Sequence, residues 1–279
     1  MPLQGLLGLM GDEVTDADEE SFLLFSQDLP SQDLGFVDAK ASTLELTVAS
    51  KDMTIHQSPP LLSSNRGGGT TGAVIWRVTP LFAEWISSPT NILFRQRVLT
   101  QDSVVLELGC GISGIVALTL LPRVKRYLAT DQGYVLKLLN ENLAENTTAT
   151  QSSAKPAHQS SGHAGRTKPR PIQIPRASRA VETMALDWEL DSLAALPGLL
   201  KVGSVHQSAA SSGKPTLCIV AQQLRSPTVF HCWLSEFQKA FNVWRVPDEL
   251  LTEDLKENSG FVMHVGLLHE CKITLMERK

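Results

Sequence analysis

Residues 104–114 read VVLELGCGISG, and this stretch decides the fold. Val104, Val105, Leu106 and Leu108 make a short apolar run that ends at glycine, the pattern of a buried strand. The glycines at 109, 111 and 114 then form a turn, and the apolar run 112–121 predicts a buried helix behind it. Gly109 allows the tight turn, Gly111 lets backbone approach a ligand, and Gly114 permits close helix–strand packing. A second apolar run, RYLAT at 126–130, predicts the next strand, and Asp131 follows it directly. A carboxylate at that point can accept hydrogen bonds from both hydroxyls of a ribose. The G-x-G-x-x-G spacing and the acid together point to an adenosine-containing cofactor. Spacing alone leaves a dinucleotide and an adenosyl ligand both open.

Working outward, 132–145 is amphipathic, with Leu136, Leu139 and Leu143 on one face, and 179–186 can supply a third strand. TLCIVAQ at 216–222 predicts a strand, 230–241 a helix, and 241–246 and 261–268 two closing strands with a hairpin-like spacing. Alternating strands and helices argue for an α/β fold, a Rossmann-like parallel sheet with helices on both faces. On the N-terminal side, 42–54 alternates apolar and polar residues and reads as one or two strands. NRGGGTTG at 65–72 reads as a flexible connector, since no Lys-Ser/Thr follows to make a phosphate loop.

Two stretches depart from this pattern. From 12 to 38 every ionised residue is acidic, interrupted by Phe22, Leu23, Leu24, Phe25 and Phe36. This predicts a mobile acidic leader over 1–41; the alternative is an acidic–hydrophobic segment that touches a basic partner. The stretch 147–177 is rich in Ser, Ala, Pro and His with scattered Lys and Arg, and predicts a disordered insertion. A basic arm for RNA or an acidic partner is the weaker alternative, because no aromatic residue is there to stack on a base.

The 279 residues are 42% hydrophobic and 19% charged, which allows a sizeable core and argues against global disorder. A net charge of -4 gives no bulk positive field, so no direct nucleic-acid binding is expected. Cys110, Cys218, Cys232 and Cys271 form no C-x-x-C, which excludes a zinc ribbon and a disulfide scaffold and fits a reducing compartment. The seven histidines, His56, His158, His163, His206, His231, His264 and His269, show no ligand spacing, so no metal is expected. No stretch reads as a membrane span, and the N-terminus lacks the basic region of a signal peptide. The expectation is a soluble, cytoplasmic monomer, with the nucleus as a second location.

Three features separate the two cofactor classes. Glu107 stands two residues before Gly109, giving E-x-G-x-G, the form seen in S-adenosylmethionine-dependent methyltransferases. The glycine turn lies about a hundred residues into the chain, whereas a dinucleotide fold usually opens its domain with it. The two closing strands resemble the antiparallel tail of the seven-strand methyltransferase sheet. An NAD-dependent oxidoreductase is the remote alternative.

GAVIWRVTPLFAEW (72–85), LELGCGISG (106–114), ATDQGYVLKLLNENLAEN (129–146) and LDWE (186–189) occur in this order in the seven-β-strand protein-lysine methyltransferases. AQQLRSPTVF, FNVWRVPDELL and GFVMHVGLL resemble the C-terminal part of the fungal branch of that family, the ribosomal lysine methyltransferases. The resemblance implies a methyltransferase domain over 42–279 that uses S-adenosyl-L-methionine on a lysine of a protein, expected to be of the large ribosomal subunit. It also implies that Gly109, Cys110 and Gly111 line the amino-acid end of the cofactor, that Asp131 holds its ribose, that Trp76 lies over the pocket and that Trp188 packs on the adenine. A buried indole suits a purine face, and cation–π attraction favours a sulfonium. Read from the residues alone, Trp76 and Trp188 fit plain core anchors as well, and Cys110 a small turn residue. Trp85, Trp233 and Trp244 read as core.

One departure stands out. In that family the strand after the adenine-packing Trp ends in Asp-x-x-Tyr beside the substrate lysine, yet 192–235 contains no Asp, Glu or Tyr. Asp131-Gln-Gly-Tyr134 has the same letters but belongs to the ribose corner. The sequence therefore predicts a Rossmann-like sheet in which one central strand is missing or replaced. It names no catalytic residue, and it leaves a cofactor-binding but catalytically impaired variant as the alternative function.

Overall fold

The glycine turn of 104–114 has formed at the mouth of a three-stranded parallel sheet. The structure is a computed structural model that describes residues 2–30, 35–67, 69–152, 180–187, 190–191 and 216–268, with side chains described to 147 in the helix that ends at 152. Strands are numbered along the chain as β1 (Thr43–Val48), β2 (Lys51–His56), β3 (Val104–Leu108), β4 (Arg126–Asp131), β5 (Glu182–Ala185), β6 (Leu217–Gln223), β7 (Phe241–Arg245) and β8 (Phe261–Leu268). The α-helices are α1 (Pro2–Met10), α2 (Ala17–Phe25), α3 (Pro59–Leu62), α4 (Val78–Ser87), α5 (Ile92–Arg95), α6 (Ile115–Leu120), α7 (Leu136–Ser152) and α8 (Pro227–Gln238).

β4 lies between β3 and β5, parallel to both, so the three strands carry their C-terminal ends to one edge. The second sheet has the order β6–β8–β7, and β8 runs antiparallel to both neighbours. This is the α/β, Rossmann-like arrangement expected, split into two sheets of three. Among the described residues no strand pairs with the free edge of β3 or of β6. Leu108, the last residue of β3, is 55% exposed. The region expected to hold the central strand, from 192 to 215, lies outside the described residues.

Helix α4 joins the halves: it packs on both α6 and β6 and buries Ala83, Trp85 and Ile86. Trp85 also donates its indole N–H to the carbonyl of Leu250 at 2.7 Å, which satisfies the polar end of an otherwise apolar ring. Trp85 and Trp244 are core residues as expected, and Trp233 is partly buried, stacked on Phe237. The hairpin of β1 and β2, predicted as one or two strands, is tied to α7 by two asparagines. The Asn142 amide donates to the carbonyls of His56 and Ile112 and accepts the His56 N–H, and Asn146 bonds the backbone of Thr54 in the same way. Asn142 is fully buried, so these bonds replace water that it cannot reach.

The acidic leader expected over 1–41 is a correction, since most of its first 25 residues are helical. Leu6 and Met10 of α1 are buried in the main core, and α2 packs on α8 through Ala17, Leu24 and the Phe25–Phe230 edge contact at 5.8 Å. Asp16 caps α2 by accepting the N–H groups of Asp18 and Glu19, and the acids of the first turn suit the positive end of the helix dipole. The expected insertion also begins later than 147, because α7 continues to Ser152. The remainder of that insertion, from 153, lies outside the described residues.

Candidate active site

At the C-terminal end of β3 the chain reverses through Gly109 and Gly111, with φ of 70° and 63°. These left-handed conformations favour glycine. The N–H groups of Gly109 and Cys110 both donate to the Thr130 carbonyl of β4, at 2.9 and 3.1 Å, which locks the turn to the neighbouring strand. A Cβ on Gly111 would stand 3.4 Å from the carbonyl oxygen of Gly72, and that same oxygen accepts the Ile112 N–H at 3.0 Å. The backbone that approaches Gly111 so closely belongs to the glycine-rich segment before α4. On the far side of the turn, a Cβ on Gly114 would lie 2.6 Å from Leu143 Cδ2. Gly114 thus lets the turn pack on the side chains of α7, a helix rather than the strand expected.

Asp131 ends β4 and faces this turn. Its Oδ2 accepts the Gly111 N–H at 2.7 Å and its Oδ1 the Gln132 N–H at 2.7 Å. Each carboxylate oxygen keeps a further lone pair for a ligand. Burial raises the Asp131 carboxyl above its ordinary range, and the two backbone N–H groups oppose that shift. Beneath the turn, Glu107 is partly buried, and its carboxylate accepts the Tyr127 hydroxyl at 2.8 Å. Burial pushes its pKa up to about 7, the Tyr127 bond lowers it, and the nearby Asp131 raises it. Burial likewise pushes the Cys110 thiol far above its usual range, and the nearby Glu107 and Asp131 add to that rise.

Asp131, Gly109, Cys110 and Gly111 line one cleft of about 230 Å³ together with Trp76 and Leu186. Five of the six expected cofactor residues are therefore close together in space; Trp188 lies outside the described residues. Trp76 is partly buried. Its indole N–H donates to the Thr71 carbonyl at 3.0 Å, its ring meets Phe36 edge-on at 4.8 Å, and the Arg225 guanidinium sits 4.7 Å from its centroid.

The glycine-rich stretch at 65–72 is more than a connector, because Gly69, Thr71 and Gly72 form part of the cleft wall. A Cβ on Gly72 would meet Val135 Cγ2 at 3.2 Å, Asp131 Oδ1 at 3.4 Å and the Tyr134 hydroxyl at 3.5 Å. Arg66, from the same stretch, stacks 4.7 Å over the Tyr134 ring. Sequence reasoning passed over Tyr134 and Gly72 as wall residues, although TTG directly before the GAVIW motif was the available signal. Among the described residues no group of three or more His, Cys, Asp or Glu side chains could hold a metal ion. Among them, too, no helix is long and apolar enough to cross a membrane.

Comparison with known proteins agrees with this geometry. Residues 55–160 match the lysine methyltransferase family, a span that holds the glycine turn, Asp131 and Trp76. The chain is 29% identical over 221 residues to the ribosomal lysine N-methyltransferase 5 of Vanderwaltozyma polyspora, which covers 67% of this chain and 68% of that protein. It is 38% identical over 107 residues to the enzyme of the same name from Zygosaccharomyces rouxii, covering 34% of each. A diaminohydroxyphosphoribosylamino-pyrimidine deaminase of Schizosaccharomyces pombe is 33% identical over 137 residues, 49% of this chain but 33% of that protein. The chain thus spans from about a third to about two thirds of the length of these relatives. Zinc deaminases carry a P-C-x-x-C signature, and no C-x-x-C occurs here. Over residues 55–160, where the glycine turn and its ribose-corner acid lie, this chain is similar to the lysine methyltransferase family.

Proposed function

We propose that this chain is an S-adenosyl-L-methionine-dependent protein-lysine N-methyltransferase, cytoplasmic, whose substrate is a protein of the large ribosomal subunit. The observation that carries the reading is the joining of Asp131 to the glycine turn: the carboxylate grips the Gly111 N–H and still lines the cleft. The donor set fits an adenosyl ligand. Asp131 has lone pairs left for two ribose hydroxyls, Trp76 offers an aromatic face, and the apolar Leu186 and Val74 contribute to the wall. S-adenosyl-L-methionine, when bound, supplies a methyl group already activated on a sulfonium. The protein then needs mainly to align a neutral lysine amine and exclude water. Asp131 and the 109–111 turn would hold the nucleoside and amino-acid ends, and Trp76 would border the acceptor side. The relatives' names supply the ribosomal substrate.

A second reading is favoured by one observation. Among the described residues β3 and β6 each keep an unpaired edge, and 192–235 has no acid or tyrosine to stand for the family's Asp-x-x-Tyr strand. On this reading the chain binds the methyl donor and transfers poorly. Calorimetry with S-adenosyl-L-methionine and with NAD, followed by tritiated-methyl transfer to ribosomal protein, tests both. Binding of the first ligand with transfer supports the main reading, and binding without transfer the second. Binding of NAD alone would overturn both.

A further inference from the structure

Helices α2 and α8 enclose an open groove of about 450 Å³, separate from the cofactor cleft. Its walls include Asp18, Phe22 and Phe25 from α2 and Pro227, Thr228 and His231 from α8. Phe22 is 72% exposed, and with Phe25 and Pro227 it gives the groove an apolar lining. An apolar lining open to water is a surface that a partner can cover.

The surroundings are acidic. The first basic residue of the sequence is Lys40, whereas Asp12, Glu13, Asp16, Asp18 and Glu19 are all exposed on or beside α2. The Asp18 carboxylate lies 3.0 Å from His231 Nε2, while Glu20 is buried against His264 and takes no part in the surface. The walls are held from beneath by the Glu20–His264 contact at 2.9 Å and the Phe25–Phe230 ring pair. A groove fixed in this way loses little conformational entropy when filled.

Its position adds to the argument. Arg225 stacks on Trp76 at the cofactor cleft, and Pro227, two residues further, already lines the groove. Two residues of chain span at most about 7 Å, so the backbone of Arg225 stands beside the groove while its side chain reaches to Trp76.

We infer that the α2–α8 groove is a docking surface for a lysine- or arginine-rich stretch of a protein substrate, with an apolar side chain of that stretch seated against Phe22, Phe25 and Pro227. The inference rests on the methyltransferase reading for the word substrate, and on the charge and shape of the groove for the docking. The acidic border repels phosphate backbones and anionic lipid headgroups, and it repels the same border of a second copy of this chain.

The test uses the full chain and a fluorescein-labelled peptide of about twelve residues that alternates lysine pairs with leucine, set against its glutamate-for-lysine counterpart. Anisotropy should show salt-sensitive binding of the basic peptide and none of the acidic one. Phe22→Ser should weaken binding about tenfold, as a truncated apolar anchor does. Glu19→Lys should weaken it several-fold, and both variants should keep the parent affinity for S-adenosyl-L-methionine in calorimetry. Equal binding of the two peptides, or a Phe22→Ser variant that binds like the parent, overturns the inference. So does concentration-dependent self-association that Phe22→Ser abolishes, which would assign the groove to a second copy. Peptide binding with these variant effects but without S-adenosyl-L-methionine binding would leave the groove standing and remove the methyltransferase reading. The reverse result would remove the groove alone.

Discussion

The Asp131 carboxylate accepts the Gly111 N–H across 2.7 Å, joining the end of β4 to the turn that follows β3. One side chain thus fixes the shape of the turn and offers its remaining lone pairs to the cleft. Asp131→Ala should weaken S-adenosyl-L-methionine binding by about 1.5–3 kcal/mol, through the loss of charge-assisted bonds to a ribose. Asp131→Asn, which keeps one acceptor, should fall between. Calorimetry on both variants checks this, and a dissociation constant unchanged in Asp131→Ala would place the ribose elsewhere.

Gly114 presents a different dependence. Its φ is 61°, and an added Cβ would stand 2.6 Å from Leu143 Cδ2 and 3.1 Å from Leu139 Cδ1. Gly114→Ala should cost about 1–3 kcal/mol in urea denaturation, from backbone strain and overpacking together. Adding Leu143→Ala relieves only the packing part, so the double variant should be less destabilised than the two single costs added together. Strict additivity would show that α7 does not press on the turn.

The cofactor half of the protein was legible because its signals are local. An apolar run, three spaced glycines and an acid after the next strand lie within 28 residues of chain and report one turn. The N-terminal helices were not legible for a physical reason. In α2 the buried positions 17, 20, 21 and 24 have helical spacing, but two of them are Glu20 and Ser21. Glu20 is tolerated inside because His264, 244 residues away, and Arg245 both meet it, and a pattern read from hydrophobicity counts it as surface. In α1 the apolar spacing of Leu3, Leu6, Leu7 and Met10 was diluted by Gly5 and Gly8, which lower helix propensity. The role of Gly72 was hidden as well, since what it must clear, Asp131 and Tyr134, is set by the tertiary fold.

Because α2 is pinned from inside, its removal should be felt by the whole domain. His264 is fully buried, its Nε2 meets Glu20 at 2.9 Å, and its Nδ1 has no partner among the described residues. Glu20→Ala would leave both ring nitrogens unpaired and should destabilise by about 2–4 kcal/mol. The same variant should admit a glutamate-specific protease at Glu13 and Glu19 at a lower denaturant concentration than the parent. A mobile leader would show neither effect, so parent-like stability in Glu20→Ala would return residues 1–41 to that description.

Glu107 gives the protein a stability that falls as pH rises. Its folded pKa of about 7 exceeds the ordinary value of 4.5, mainly because burial disfavours the charge. Below pH 4.5 the carboxyl is neutral in both folded and unfolded chains and contributes no difference. Between 4.5 and about 7 the unfolded chain releases this proton while the folded chain keeps it, so unfolding becomes steadily easier. Above 7 the loss is complete, at about 3 kcal/mol. Asp131, also raised by burial, acts in the same direction but is present in parent and variant alike. Glu107→Gln keeps an acceptor for the Tyr127 hydroxyl and has no proton to lose, so its stability relative to the parent should climb across this interval and level off beyond it. Urea denaturation of the two proteins at pH 5, 6, 7 and 8 reads the difference directly. A gap that stays constant with pH would mean that Glu107 is ionised in the folded chain throughout, and that the floor of the glycine turn carries a buried negative charge.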